Sequence, residues 1–275
     1  MDSKVIAKKN LTGIPETMLI PLWAKAEETQ RVNPIIRDTK AEKIIKTIDY
    51  DFSKFNKSWM SQTGIAIRTF ILDRAVEKFL SVNDNAIIIN LGAGLDTRYE
   101  RLSPNRIKCW YDLDVPEAIQ FREKFFPESK KNQFIEKSVF DYSWVNDIDR
   151  TDEPVLIIAE GLFMYFSEEE IKNLFDMLAR SFPKGEIYFE MLANFLVNRG
   201  SVHDTLQKTG NNIEFKWGLK DSRSMEKWNK KIEFIEEWNY LDYFRNRWKI
   251  LGFIALIPPL KNLFNNRIVH MKFSR

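Results

Sequence analysis

Apolar residues recur along this chain with two different spacings, and the change from one to the other sorts its elements. Up to about residue 82 the spacing is helical: segments 15–28, 39–48 and 67–82 place apolar side chains three and four positions apart, with a loop predicted at 51–55. The rhythm then shortens. Short apolar runs rich in isoleucine and valine predict strands at 86–91, 107–113, 133–138, 155–159 and 186–191. Helical patterns at 117–126 and 167–182 fall between them. Ser167-Glu168-Glu169-Glu170 opens the second with an N-cap, a capping box and an acidic first turn, and Pro183-Lys184-Gly185 stops it. Strands alternating with helices predict an α/β fold whose parallel sheet is covered on both faces.

After residue 191 the alternation breaks. Residues 193–231 read as a long insertion, mainly helical or irregular, followed by a strand at 231–237, a helical stretch at 242–251 and a last strand at 267–273. The last two strands predict an antiparallel edge. The second βαβαβ half of a dinucleotide-binding dehydrogenase has no counterpart in the pattern. The apolar run 250–257, closed by Pro258-Pro259, is far short of the roughly 20 residues a membrane span needs and is predicted to be a core segment. The aromatics before it, Trp238, Tyr240, Tyr243, Phe244 and Trp248, read as packing.

Candidate chemistry gathers at the strand ends. The run Ala86-Ile87-Ile88-Ile89-Asn90-Leu91 stops at Gly92, and Gly94 follows two positions on. Lacking a Cβ, either glycine admits a sharp turn and a close approach to the backbone. A glycine turn at the carboxyl end of a parallel strand is where open sheets bind nucleotide-like ligands. Gly92-x-Gly94-x-x-Thr97 is unspecific by itself, and the next strand strengthens it. Trp110-Tyr111-Asp112-Leu113-Asp114 ends in two carboxylates about 20 residues past Gly92, the spacing at which an acid accepts both ribose hydroxyls. Asp112 and Asp114 fall on one face of the strand, so the pattern leaves the choice between them open, against a plain role as solvated turn residues. Asp141, after the third strand, is placed to accept from an adenine amino group or merely to make an acidic turn. Glu160 follows the apolar Val155-Leu156-Ile157-Ile158-Ala159, and a buried carboxylate there needs a cationic or hydrogen-bonding partner. A structural salt bridge is one such partner; the strand end favours a ligand.

Composition narrows the setting. The 275 residues, 44% hydrophobic and 29% charged, suit one large soluble domain with a sizeable core. A net charge of +3, with no lysine-arginine block, gives no sign of a nucleic-acid partner. Cys109 is the only cysteine, so no internal disulfide forms and a reducing, cytoplasmic setting is expected. The first ten residues lack the apolar core of a signal peptide. One cysteine and two distant histidines, His203 and His270, make no zinc pattern, and no metal site is expected.

Three motifs in order now carry a resemblance: Asn90-Leu91-Gly92-Ala93-Gly94-Leu95-Asp96-Thr97-Arg98, Trp110-Tyr111-Asp112-Leu113-Asp114-Val115-Pro116-Glu117 and Ala159-Glu160-Gly161-Leu162-Phe163-Met164-Tyr165. They resemble the leucine carboxyl methyltransferase family, and within it the bacterial branch of polyketide (tetracenomycin-type) O-methyltransferases. The similarity extends upstream to Glu16–Leu22, Asp49–Phe52 and Arg68–Arg74, and downstream to Trp217-Gly218-Leu219 and Glu236-Glu237-Trp238, nearly the whole chain. The resemblance implies a class I methyltransferase fold, Rossmann-like, with a mostly parallel seven-stranded sheet and an antiparallel C-terminal edge. Its expected organisation is a helical cap at 1–82, a cofactor-binding core at 83–192, a lid insertion at 193–231 and sheet-completing strands at 232–275.

The same resemblance implies S-adenosylmethionine as cofactor. Arg68 would pair with the methionine carboxylate, Gly92 with Gly94 would bring the backbone close, and Asp114 would hold the ribose. Asp141 would lie near adenine, and Glu160 would reach the methionine amino group. By pattern alone Arg68 reads as an exposed helix position; an arginine fork nonetheless suits a carboxylate. Methyl transfer from a sulfonium needs mainly alignment and exclusion of water. No base sits beside the motifs, so the catalytic group stays unassigned and a carboxylate acceptor on a small molecule is favoured over a hydroxyl. His203, in the insertion, is a conceivable base, and Arg31, Arg37 and Tyr165 are candidate substrate contacts. The other readings are a protein C-terminal carboxyl methyltransferase, an NAD-dependent oxidoreductase, and a catalytically silent S-adenosylmethionine-binding protein.

Overall fold

The computed structural model describes residues 6–7, 17–198, 214–249, 251–254, 256–257 and 266–274. Seven strands, β1 (Ala86–Leu91), β2 (Ile107–Asp114), β3 (Asn132–Glu136), β4 (Val155–Ala159), β5 (Glu186–Met191), β6 (Ile232–Asn239) and β7 (Arg267–Phe273), form one sheet in the order β3-β2-β1-β4-β5-β7-β6. The first five run parallel, and β7 lies antiparallel to both β5 and β6. This is the mostly parallel sheet with an antiparallel edge that the pattern predicts. Strand order reverses between β1 and β4, which opens a crevice beyond their carboxyl ends.

The helices are α1 (Leu19–Thr29), α2 (Thr39–Ile45), α3 (Trp59–Val82), α4 (Arg98–Leu102), α5 (Pro116–Arg122), α6 (Glu168–Ser181) and the short α7 (Leu251–Ile254). Every residue of β1 is buried, because both faces of the sheet are covered. Ile87 and Ile89 pack with Leu174, Phe175 and Leu178 of α6, and Ile88 packs on the other face with Leu72, Val76 and Phe79 of α3. Ser167 and Glu170 close the predicted capping box at the start of α6. No described helix is long and apolar enough to cross a membrane.

Several expectations shift. Helix α3 begins at Trp59, well before residue 67, because Ser61, Gln62 and Thr63 are buried polar residues that hide the amphipathic pattern. Helix α2 stops at Ile45, and Ile48–Asp49 pairs instead with Ile6–Ala7 as a short parallel bridge. The predicted helix at 242–251 is a correction: 3-10 turns at Tyr240–Asp242 and Arg245–Trp248 precede α7, since Phe244 (φ 47°) and Lys249 (φ 51°) adopt backbone angles no helix accepts. The run 250–257 is not a core segment throughout, for Phe253 is 71% and Leu256 62% exposed. In the insertion, 3-10 turns occupy Asn194–Leu196 and Ser222–Lys227; residues 199–213, with His203, lie outside the described residues.

Candidate functional site

The turn after β1 is built by its neighbours. Gly92 (φ 67°) and Gly94 (φ 44°) occupy the left-handed region, and a Cβ on Gly92 would stand 2.7 Å from Leu162. Gly92 N donates to the Leu113 carbonyl at 2.8 Å, which ties the turn to the end of β2. There Asp114 accepts from Gly94 N and Val115 N, each at 2.8 Å, one per carboxylate oxygen. Each oxygen keeps a lone pair for a ligand hydroxyl. Burial pushes the Asp114 carboxyl above its ordinary pKa, and those two N–H groups oppose the shift.

Asp112 is placed differently from Asp114. It is fully buried and accepts from Arg122 Nη2 at 2.8 Å, Asn90 Nδ2 at 2.9 Å, Trp110 Nε1 at 3.0 Å and Asn132 Nδ2 at 3.2 Å. Arg122 in turn donates to the carbonyls of Gly94 at 3.1 Å and Asp96 at 2.7 Å. Asp112 therefore braces the glycine turn from behind, outside the cavity. Asp141 is exposed and caps a 3-10 turn, accepting from Ser143 N at 3.1 Å; Ser138 and Val139 face the cavity in its stead.

Glu160, just past β4, meets Arg68 from α3 at 2.8 Å through Nε and 2.7 Å through Nη2, and Arg98 Nη2 donates to its other oxygen. Burial pushes this carboxyl up, but the two guanidiniums outweigh it and hold the pKa below the usual range. Arg98, with no exposed surface, also binds Asp96 at 2.6 Å and Asp73 at 2.8 Å. Arg68 reaches on to Glu190 of β5 at 2.7 Å, and the Tyr240 hydroxyl donates to Glu190 at 2.9 Å. The exposed helix position expected for Arg68 is thus a 7% exposed one. Gly161 (φ 65°) lets the guanidinium lie across the backbone, 3.4 Å from where a Cβ would be.

One cavity of about 730 Å³ collects these groups. Arg68, Gly92, Gly94, Asp114 and Glu160 line it, as does Tyr165; Asp112, Asp141, Arg31 and Arg37 do not. Arg31 instead joins Glu28 at 3.2 Å and Gln62 at 2.9 Å. Lys25, Glu190 and Tyr240 are among the further polar residues that face the cavity and that the sequence pattern did not single out. Lys25 lies 3.5 Å from Asp96 on an α1 buried almost all round, where no polar stripe marked it. Glu190 ends the apolar Ile187-Tyr188-Phe189 as Glu160 ends β4, so the same signal was present there. Tyr240 was hidden among neighbouring aromatics.

The chain is similar to known proteins along most of its length. The leucine carboxyl methyltransferase family profile matches residues 19–179. The tetracenomycin polyketide synthesis O-methyltransferase TcmP of Streptomyces glaucescens is 31% identical over 232 residues, 84% of this chain and 85% of its own. The S-adenosyl-L-methionine-dependent methyltransferase dpfgK of Gibberella zeae is 28% identical over 280 residues, 93% of each chain. Among solved structures, a candidate methyltransferase from Thermobifida fusca shares the fold with a TM-score of 0.57 at 12% identity, over 93% of this chain and 95% of its own. The chain belongs to the leucine carboxyl methyltransferase family and is an S-adenosylmethionine-dependent methyltransferase of the class I fold.

Proposed function

We propose that the protein transfers the methyl group of S-adenosylmethionine to an oxygen, carboxylate or hydroxyl, of a small polyketide-like acceptor. The observation that carries this reading is the lining of the cavity. Gly94, Asp114 and Glu160 share it with the apolar Met60, Ile65, Phe195, Phe215 and Trp248. On this reading residues 1–82 and 193–231 are cap and lid, 83–192 the cofactor core, and 232–275 the completion of the sheet. Met60 and Ile65 of the cap, with Phe195 and Phe215 of the lid, support that division.

The cradle suits the cofactor chemically. A zwitterionic amino-acid end needs an anion and cations side by side, and Glu160, Arg68 and Lys25 supply both on one wall. Arg68 and Lys25 take the carboxylate, and Glu160 takes the ammonium. Asp114 accepts the ribose hydroxyls with its open lone pairs. Ser138 and Val139 flank the adenine, while Asp112 acts at a distance by fixing Arg122 and the turn. When bound, the cofactor supplies a sulfonium methyl that is already activated for displacement. The protein's part is alignment: the rigid ion-pair frame fixes one reactant, and the aromatic walls hold the other and exclude water. The single, buried Cys109 supports a reducing, cytoplasmic setting.

Calorimetry followed by transfer assays tests the reading. S-adenosylmethionine should bind and NAD should not, and label should pass to aromatic carboxylic acids or phenols. Label passing only to a protein C-terminus, or binding with no transfer to any acceptor, would contradict it.

A further inference from the structure

Described residues between 244 and 257 face two ways. Inward, Trp248 and Leu251 line the large cavity. Outward, Phe244, Phe253, Leu256 and Ile257 stand exposed, Phe253 by 71% and Leu256 by 62%. Single exposed apolar residues are ordinary on a protein surface, but four so close in the chain make a patch. A shallow groove of about 470 Å³ joins Phe253 and Leu256 to Arg245, Asn246, Lys249 and Gly252. Its backbone is tightly set: Lys249 has φ 51°, and a Cβ on Gly252 would stand 2.5 Å from the Arg245 carbonyl.

Charge says what covers the patch. Residues 243–275 contain seven lysines and arginines and no acid. Arg247 turns inward to Glu28 at 2.5 Å, whereas Arg245 lies a loose 3.7 Å from Asp242, and both Arg245 and Lys249 are exposed. Lys249 Nζ lies 4.4 Å over the Trp59 ring. The exposed Arg74 lies over the Phe70 ring, which Phe244 meets edge-on at 5.0 Å, and adds a third cation beside the apolar groups. Cations alone would suit a nucleic acid, and apolar groups alone a second copy of this chain. Interleaved, with a tryptophan among them, they suit a bilayer surface, whose headgroups take the charge and whose acyl chains take the apolar side chains.

We propose that this face docks on an anionic lipid bilayer. The proposal goes beyond the methyl-transfer reading and does not depend on it. Phe253, Leu256 and Ile257 enter the boundary between headgroups and acyl chains, and Arg245, Lys249 and Arg74 meet lipid phosphates. A few apolar side chains and a few cations give a reversible anchor, far short of a membrane span. Because Trp248 and Leu251 belong to the same stretch of chain, the docked bilayer lies beside a wall of the large cavity.

The test uses the full chain and sedimentation with lipid vesicles. The protein should pellet with phosphatidylcholine vesicles that carry about 30% phosphatidylglycerol. It should bind about tenfold more weakly to phosphatidylcholine alone, or to the mixed vesicles in about 0.5 M salt. Phe253→Ser with Leu256→Ser should weaken pelleting by about tenfold or more. Both positions are exposed, so the Tm and the affinity for S-adenosylhomocysteine should stay unchanged. Arg245→Gln with Lys249→Gln should weaken binding to the mixed vesicles by about tenfold and leave that to phosphatidylcholine alone as it was. No pelleting with the mixed vesicles, equal pelleting with both compositions, or either double variant binding as the unaltered protein does would overturn the proposal. So would a concentration-dependent dimer that Phe253→Ser with Leu256→Ser abolishes, since the face would then belong to a second copy.

Discussion

Arg68 and Glu160 stand 92 positions apart in the chain and meet through two nitrogens, Nε at 2.8 Å and Nη2 at 2.7 Å from one carboxylate oxygen. The pair joins α3 to the end of β4, and each partner is engaged again on its far side, by Glu190 and by Arg98. Such a frame is costly to desolvate and rigid once formed, which suits a wall that must hold a charged ligand in one pose.

Arg68→Ala should therefore cost both stability and ligand. Unpairing buried charge is worth about 3–5 kcal/mol, so the Tm should fall by several degrees. S-adenosylhomocysteine should bind roughly ten- to 100-fold more weakly, the worth of charge-assisted hydrogen bonds. A lowered Tm with unchanged affinity would assign Arg68 to the scaffold alone.

Asp112 and Asp114 should separate cleanly. Asp112→Asn leaves Arg122 without a buried counter-charge and should lower the Tm strongly. Asp114→Asn should lower it less and weaken S-adenosylhomocysteine by about tenfold or more through the ribose contact. Thermal melts paired with calorimetry check both, and a reversed ranking of the two affinities would contradict the assignment.

Gly92→Val should abolish binding. The new side chain would meet Leu162 at 2.7 Å while the backbone holds φ at 67°, so the turn must move. Val82→Ala, at an exposed position ending α3, is the control. Equal affinity in the two variants would mean that the turn is not part of the ligand frame.

Glu100, on α4 behind the turn, yields a prediction about pH. Its Oε2 is buried without a hydrogen-bond partner, and burial pushes the carboxyl from 4.5 up to about 7, opposed by Arg122. Between those values the unfolded chain releases a proton that the folded chain retains, so stability falls as pH rises through the window. Glu100→Gln should raise the Tm near pH 8 and leave it unchanged near pH 4. The same gain at both values would show that the carboxyl ionises normally.

Much of this was legible in the sequence because the signals were local. A buried strand followed by Gly92, an acid at the end of β2, and Glu160 after five apolar residues each announce themselves within a dozen positions. The strands and their antiparallel edge followed from the alternation and its breakdown after Met191. What stayed hidden depends on contacts across the fold. Nothing near Asp112 tells that Arg122 and Asn132 saturate it, or that Asp141 turns outward to cap Ser143. Lys25 sits on a helix buried on nearly every side, and Tyr240 gains its meaning only from Glu190, 50 positions earlier.

The most direct test is a crystal structure of the full chain with S-adenosylhomocysteine. The account predicts the amino-acid end between Arg68, Lys25 and Glu160, the ribose on Asp114, and the sulfur facing the apolar side chains of Met60, Phe195 and Phe215. A ribose bound elsewhere, or a sulfur turned away from those side chains, would contradict it.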